Sequence, residues 1–405
     1  MEKLNQKTES SIIDTLTLRY DRTITPNLPK KTWKDFETHN KKLNFEDIEK
    51  SICNDIEQKL NNFDGEKICI ALSGGVDSTL VLSLIRKTNP DIEIDAISFQ
   101  FSNSENETET ASQIANFFNA NHHVVFIENY ISELPKAISV LQLPFWDLHW
   151  YHVVKNAQNI SRILFSGDGG DELFGGYTFR YSKFLSLTSE TSTPLQKIQA
   201  YMQCHERDWV HDQEKLFNKK LNFSWNSLYG TLLPYFDNNL PRLEQVFLAD
   251  YNGKLLYNFE PVSSRLSNHF NVKVIAPLMN NELLEISPHI STSEKYDQKS
   301  NIGKLLLRKI LKQNNADRLI SKQKLGFSVN TMNLWESYGR DTCKKLLSNS
   351  NIVNNGLIDN DWIQKYIDKS DLDVRYINKF LGILALEVWY KLFVSNELSS
   401  KDTLD

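Results

Sequence analysis

Short β-branched runs alternate with helix-spaced apolar positions through the first half of the chain. Ile48, Ile52, Ile56 and Leu60 recur every fourth residue, with Phe45 and Cys53 on the same face, which predicts a helix ahead of the first strand. Lys67 to Leu72 (KICIAL) reads as a buried strand that a Ser-Gly-Gly turn ends, and helical spacing begins at Ser78. Ile94 to Phe99 predicts a second strand, ETASQIANFFNA a second helix, His123 to Ile127 a third strand and Arg162 to Ser166 a fourth. Strands alternating with helices predict the α/β class, a parallel sheet with helices on both faces. In such sheets ligands sit beyond the carboxyl ends of the strands.

The flanks read differently. Residues 1–43 have weak periodicity, breakers at Pro26 and Pro29 and few apolar anchors, so an N-terminal arm is expected there. After Gly176 the pattern turns helical, most clearly over 200–258 and 301–314. The expected division is therefore an arm (1–43), an α/β core (44–180) and a mainly α-helical part (181–405). No internal repeat and no low-complexity linker is visible, so the two lobes should pack closely with the active site between them.

Composition narrows the class. The 405 residues suffice to bury a proper core, and the four cysteines (Cys53, Cys69, Cys204, Cys343) lack C-x-x-C spacing, which suggests neither a zinc site nor a disulfide framework. A reducing, cytoplasmic location is expected. No run approaches the roughly 18 apolar residues of a membrane span, so no membrane association is expected. Lys and Arg number 46 against 51 Asp and Glu, a net charge of −5 without a basic tract, which argues against nucleic-acid binding.

The strongest chemical signal is Ala71-Leu72-Ser73-Gly74-Gly75-Val76-Asp77-Ser78, between a strand and a helix start. Gly74 and Gly75 let main-chain N–H groups approach an anion, Ser73 and Ser78 add hydroxyl donors, and the helix N-terminus adds its positive end. Asp77 would repel a phosphate unless a Mg²⁺ ion lay between carboxylate and pyrophosphate. Phe99, closing the second strand, is a further candidate beside the nucleotide. No Lys follows the glycines, so this is not the loop of kinases and GTPases. It resembles the S-G-G-x-D-S loop of the N-type ATP pyrophosphatases, or PP-loop enzymes, whose members include tRNA thiolases and NAD and GMP synthetases.

A second segment narrows the reaction. Ser166-Gly167-Asp168-Gly169-Gly170-Asp171-Glu172-Leu173-Phe174-Gly175-Gly176-Tyr177 ends the fourth strand and resembles the S-G-[ED]-G-x-D-E-x-F-G-G-Y signature of asparagine synthetases. Gly303-Lys304-Leu305-Leu306-Leu307-Arg308 is similar to that family's G-K-x-L-L-R, and Lys324-Leu325-Gly326-Phe327 and the apolar run Phe380 to Phe393 continue the likeness. The resemblance spans about Asn44 to Phe393. It implies ATP and Mg²⁺ as cofactors and a carboxylate, by default aspartate, that is adenylated with release of pyrophosphate and then passed to ammonia or an amine. It further implies that Asp77 and Asp171 hold the metal, Ser166 and Gly167 lie against the nucleotide, Asp168 acts on the nucleophile as general base, and Lys324 steadies developing charge.

Four departures bear on the substrate. The glutaminase domain that begins glutamine-dependent members is not seen here, so ammonia is expected free or from a separate glutaminase subunit, unless an amine is the nucleophile. Pro144-Phe145-Trp146-Asp147-Leu148-His149-Trp150-Tyr151-His152 puts histidines and aromatics where the family usually has a small hydroxyl residue and a later proline, which hints at a larger or flatter substrate, the alternative being core packing. Asn280 stands where an aspartate is common, and Asp168 where aspartate-using members have Glu.

Overall fold

The computed structural model describes residues 6–37, 44–63, 65, 67–102, 104, 108–205, 208–320 and 329–404. A five-stranded parallel sheet runs through it, built from β1 (Lys67–Ala71), β2 (Glu93–Phe101), β3 (Asn121–Ile127), β4 (Ile163–Phe165) and β5 (Lys273–Ile275) in the order β3-β2-β1-β4-β5. The first strand is central, pairing with β2 at Cys69↔Asp95 and with β4 at Cys69↔Leu164. Alternation along β1 feeds two cores. Ile68 and Ile70 join one cluster and Cys69 and Ala71 the other, as a period of two residues requires when both faces are covered.

One face carries α2 (Phe45–Asn61), α3 (Val76–Thr88), α4 (Thr108–Phe117) and the helix Leu305–Gln313, of which α2, α3 and Leu305–Gln313 pack on one another. The predicted stripe of α2 is seated as expected, with Ile48, Ile52 and Ile56 fully buried. Over the other face lie α5 (Leu134–Leu141), α6 (His149–Ala157), Glu260–Phe270 and the long closing helix Val374–Phe393.

Two of the elements that the sequence reading missed border the sheet and its covering helices. Lys273–Ile275 is a three-residue strand inside a helix-rich stretch, and it is extended because β4 offers it a partner, with Leu164 opposite Val274. The segment read as an arm contains α1 (Gln6–Leu18), whose Ile12, Leu16 and Leu18 are buried and which packs against Val374–Phe393. Its scattered apolar positions make a helix only because another helix covers them. Among the described residues no helix is long and apolar enough to cross a membrane.

Candidate active site

A cleft of about 450 Å³ opens at the carboxyl ends of β1 and β4, where the two glycine motifs meet. Gly74 takes the left-handed conformation (φ 74°), which turns the chain from β1 into the first turn of α3. The Ser73 and Ser78 hydroxyls face each other at 3.2 Å, and the Gly75 amide donates to Ser73 Oγ at 3.4 Å. Hydroxyls and a helix N-terminus thus share one mouth of the cleft.

The second motif packs directly on the first. A Cβ at Gly167 would come within 2.7 Å of the Ser78 backbone nitrogen, and one at Gly170 would overlap the Asp77 carboxylate. These glycines are small so that two loops can touch. Beyond them, α7 (Gly170–Phe174) presents Asp171 in its first turn.

Lys304 joins the two carboxylates. It occupies the left-handed region (φ 58°), unusual for a lysine, at the start of Leu305–Gln313, and its side chain is 10% exposed. Its ammonium pairs with Asp77 and, at 2.7 Å, with Asp171 Oδ1. Burial alone would lower its pKa, but Asp171 and Asp77 outweigh burial and hold it above the ordinary lysine value. A Cβ at Gly176 would overlap both Asp171 Oδ1 and Lys304 Cε. Gly176→Ala should therefore part this ion pair and lower the melting temperature by about 4 °C; an unchanged melting temperature would show that the pair need not be held so closely.

Asp168 lines the same cleft and accepts from Ser166 Oγ at 3.2 Å. Burial, then the Glu172 charge, push its carboxyl up to about 7 against the opposing His149 and Ser166. A folded-state pKa above the unfolded value of 3.8 favours the protonated folded protein, so this contribution to stability is complete below about pH 4 and is lost as pH rises through about 7. The melting temperature of ligand-free Asp168→Asn should accordingly fall less between those pH values than that of the unaltered protein; parallel curves would disprove the shift.

Opposite, Asp147 accepts from His149 Nδ1 at 2.6 Å, from Arg19 at 2.9 Å and from the Tyr130 hydroxyl at 3.0 Å. His149 is held above its ordinary pKa because Asp147 outweighs the burial that would lower it.

A family model described as "Asparagine synthase" matches residues 63–391. The chain belongs to the asparagine synthase family. It is 25% identical over 309 residues to asparagine synthetase [glutamine-hydrolyzing] 1 of Bacillus subtilis, covering 65% of this chain and 48% of that protein. A putative asparagine synthetase [glutamine-hydrolyzing] 2 of Methanocaldococcus jannaschii is 33% identical over 111 residues, covering 26% of this chain and 22% of its own length. The NH(3)-dependent NAD(+) synthetase of Carboxydothermus hydrogenoformans is 34% identical over 183 residues, 38% of this chain and 75% of its own. Among solved structures, the NH3-dependent NAD synthetase from Campylobacter jejuni matches at 17% identity with a TM-score of 0.29, covering 52% of this chain and 94% of its own. The chain spans about half the length of the Bacillus asparagine synthetase it matches.

Of the residues the sequence singled out in this asparagine synthase-family chain, Ala71, Ser73, Gly75, Asp77, Ser78, Gly167, Asp168 and Asp171 line the cleft. Leu72, Gly74, Phe99 and Ser166 do not: Leu72 is fully buried, Phe99 is buried and stacked on Phe101 at 6.2 Å, and the Ser166 amide donates to Ile275 at the junction of β4 and β5. Lys324 lies outside the described residues. His152 is core, its Nε2 against the Tyr130 carbonyl at 3.2 Å, whereas His149, Phe145, Trp146 and Trp150 line the cleft. Asn280 caps the helix Asn281–Ile286, accepting from the Leu283 amide at 2.8 Å. Lys304 was visible as the lysine of G-K-x-L-L-R without a role attached, and Arg19 carried no sequence signal at all.

Proposed function

We propose that this chain is an AMP-forming amide ligase: it adenylates a carboxylate at the expense of ATP, releases pyrophosphate and transfers the acyl group to ammonia or an amine. The observation that carries this reading is the convergence of Asp77 and Asp171 on one cation at the mouth of the Ser73 to Ser78 loop. Two carboxylates from two strand ends already share a positive charge there, a donor set of hard oxygens that suits Mg²⁺. Asp77 and Asp171 would hold the ion there. When bound, Mg²⁺ would neutralise charge developing on the pyrophosphate.

The chain's own groups divide the remaining work. Loop amides and the hydroxyls of Ser73 and Ser78 bind phosphate oxygens, with Leu72, Phe99, Ser166 and Gly167 supporting the nucleotide from behind. Lys304 and Lys324 offset negative charge on phosphate and acyl oxygens. Asp168 accepts the proton that the nitrogen nucleophile loses as it attacks the acyl carbon; its carboxyl, up at about 7, is poised to do so near neutral pH. Aspartate and ammonia are the default substrates, giving asparagine and AMP, with a separate glutaminase subunit as one nitrogen source.

Mass spectrometry after incubation with Mg-ATP, aspartate and ammonium chloride, and with glutamine separately, tests the whole reading. Asparagine with matching AMP and pyrophosphate is the expected result. Absence of AMP and pyrophosphate across a broad panel of acids and amines would overturn it.

A further inference from the structure

The sheet has two edges, and the chain treats them differently. β5 is three residues long, begins at the exposed Lys273 and is followed closely by Pro277, so it offers little backbone to a further strand. Charge, brevity and proline are the usual protections of an edge. At the other edge β3 runs for seven residues, Asn121-His122-His123-Val124-Val125-Phe126-Ile127, without a proline, a lysine, an arginine or a carboxylate. Val124 is 51% and Phe126 63% exposed, and Phe117, at the end of the helix α4 that packs on this strand, is exposed as well.

The backbone of β3 determines which groups are left over. Its odd-numbered residues face β2, as the Ser102 amide donating to the Ile127 carbonyl at 2.9 Å fixes, so the N–H and C=O groups of His122, Val124 and Phe126, and of Glu128 beyond them, point away from the sheet. Among the described residues no strand pairs with that side. An antiparallel strand of identical sequence would satisfy these groups. With Val125 of each copy on a two-fold axis perpendicular to the sheet, Val124 lies opposite the partner's Phe126 and His122 opposite the partner's Glu128, in the hydrogen-bonded positions of the new ladder. Apolar then meets apolar, an imidazole meets a carboxylate, and no like charges are opposed. A slip of one residue would set outward groups opposite inward ones and break the ladder.

We propose that β3 is a homodimerisation edge: two copies of this chain join their β3 strands antiparallel about a two-fold axis at Val125, making one continuous sheet. A second copy is the occupant because the strand complements itself, pair by pair, in a single register, and its seven residues carry no formal charge by which to select a different partner. Phe117, from the helix on the same face as Val124 and Phe126, adds apolar surface beside the new ladder. The strand β2 separates β3 from β1, where the cleft opens, so the pairing leaves the cleft accessible and does not depend on the adenylation reading.

Size-exclusion chromatography with light scattering tests this directly. The unaltered protein at micromolar concentration should show twice the mass of one chain. Val124→Lys and Phe126→Lys, charges of the kind that blunt natural edges, should each weaken association by about a hundredfold or more, because the two-fold axis repeats each change, and give monomers with an unchanged circular dichroism spectrum. Val125→Cys reads the register: its two copies meet in a non-hydrogen-bonded pair within disulfide reach, so mild oxidation should give a covalent dimer. The unaltered protein, whose own cysteines are buried or partly buried, and Val124→Cys should give none. A monomeric unaltered protein overturns the proposal. So does a dimer that persists in both lysine variants or fails to cross-link through Val125→Cys, since its contact then lies on another surface or in another register. Should the lysine variants misfold, the Val125→Cys cross-link decides alone.

Discussion

Lys304→Met should reduce pyrophosphate release by about a thousandfold and lower the melting temperature of the ligand-free protein. The kinetic loss follows from removing a fixed positive charge beside the phosphate loop, where one donor to a developing oxyanion is worth about 10²- to 10³-fold. The stability loss follows from leaving Asp77 and Asp171 without the ammonium both now share. Breaking a fully buried pair costs about 3–5 kcal/mol, and the 19% and 24% exposure of the two carboxylates brings the expectation down to about 2 kcal/mol, or roughly 4 °C. Added Mg²⁺ should restore more stability to the variant than to the unaltered protein, because the metal then takes the place of the lost charge. Turnover and melting temperature both at the unaltered level would show that Lys304 is an ordinary lysine in an unusual backbone conformation.

Asp77→Asn and Asp171→Asn should each abolish AMP formation, by about a thousandfold or more, while leaving the fold intact. In either single variant Lys304 keeps one carboxylate partner, so circular dichroism should be unchanged and the melting temperature should move by only about 2 °C. The double variant is different in kind. It strands a buried ammonium with neither carboxylate, so its loss of stability should exceed the sum of the single losses, the signature of two groups acting on one partner. Normal AMP formation in both single variants would dismiss the assignment of Mg²⁺ to these two residues. Together with the Lys304 result, these variants separate a metal-holding role for the carboxylates from a merely structural one, since only the former makes activity fall without stability falling alongside.

The N-terminal half was legible because its signals are local. KICIAL alternates between two cores and ends at Ser73-Gly74-Gly75, and nothing beyond nearest neighbours is needed to read a strand, a turn and a helix start there. The predicted strands at 94–99 and 123–127 were each found slightly longer, as Glu93–Phe101 and Asn121–Ile127, since strand ends are set by pairing with a neighbour rather than by the run itself. By contrast β5 is three residues long and exists through its register with β4, and α1 is a helix whose apolar residues make sense only under Val374–Phe393. Asn280 stands where an aspartate is common in the family, and its observed work is to cap a helix and bond Ser51.

The residues of the candidate site followed the same division. Asp77, Asp168 and Asp171 stand in glycine-rich motifs whose order is itself improbable by chance, so their chemistry could be named from sequence. What the chain order could not supply was that Lys304, more than two hundred residues after Asp77, closes the pair, or that Arg19 and Lys379, from opposite ends of the chain, enter the same cleft. The sequence by itself determined the α/β class, the phosphate loop, the second motif and the family to which they belong, because each is written in short-range patterns of glycine, acid and apolar residues. Only the tertiary structure decided which charges meet, and which histidine faces the cleft and which is core, because electrostatic pairing and burial depend on distances between elements that local sequence does not encode.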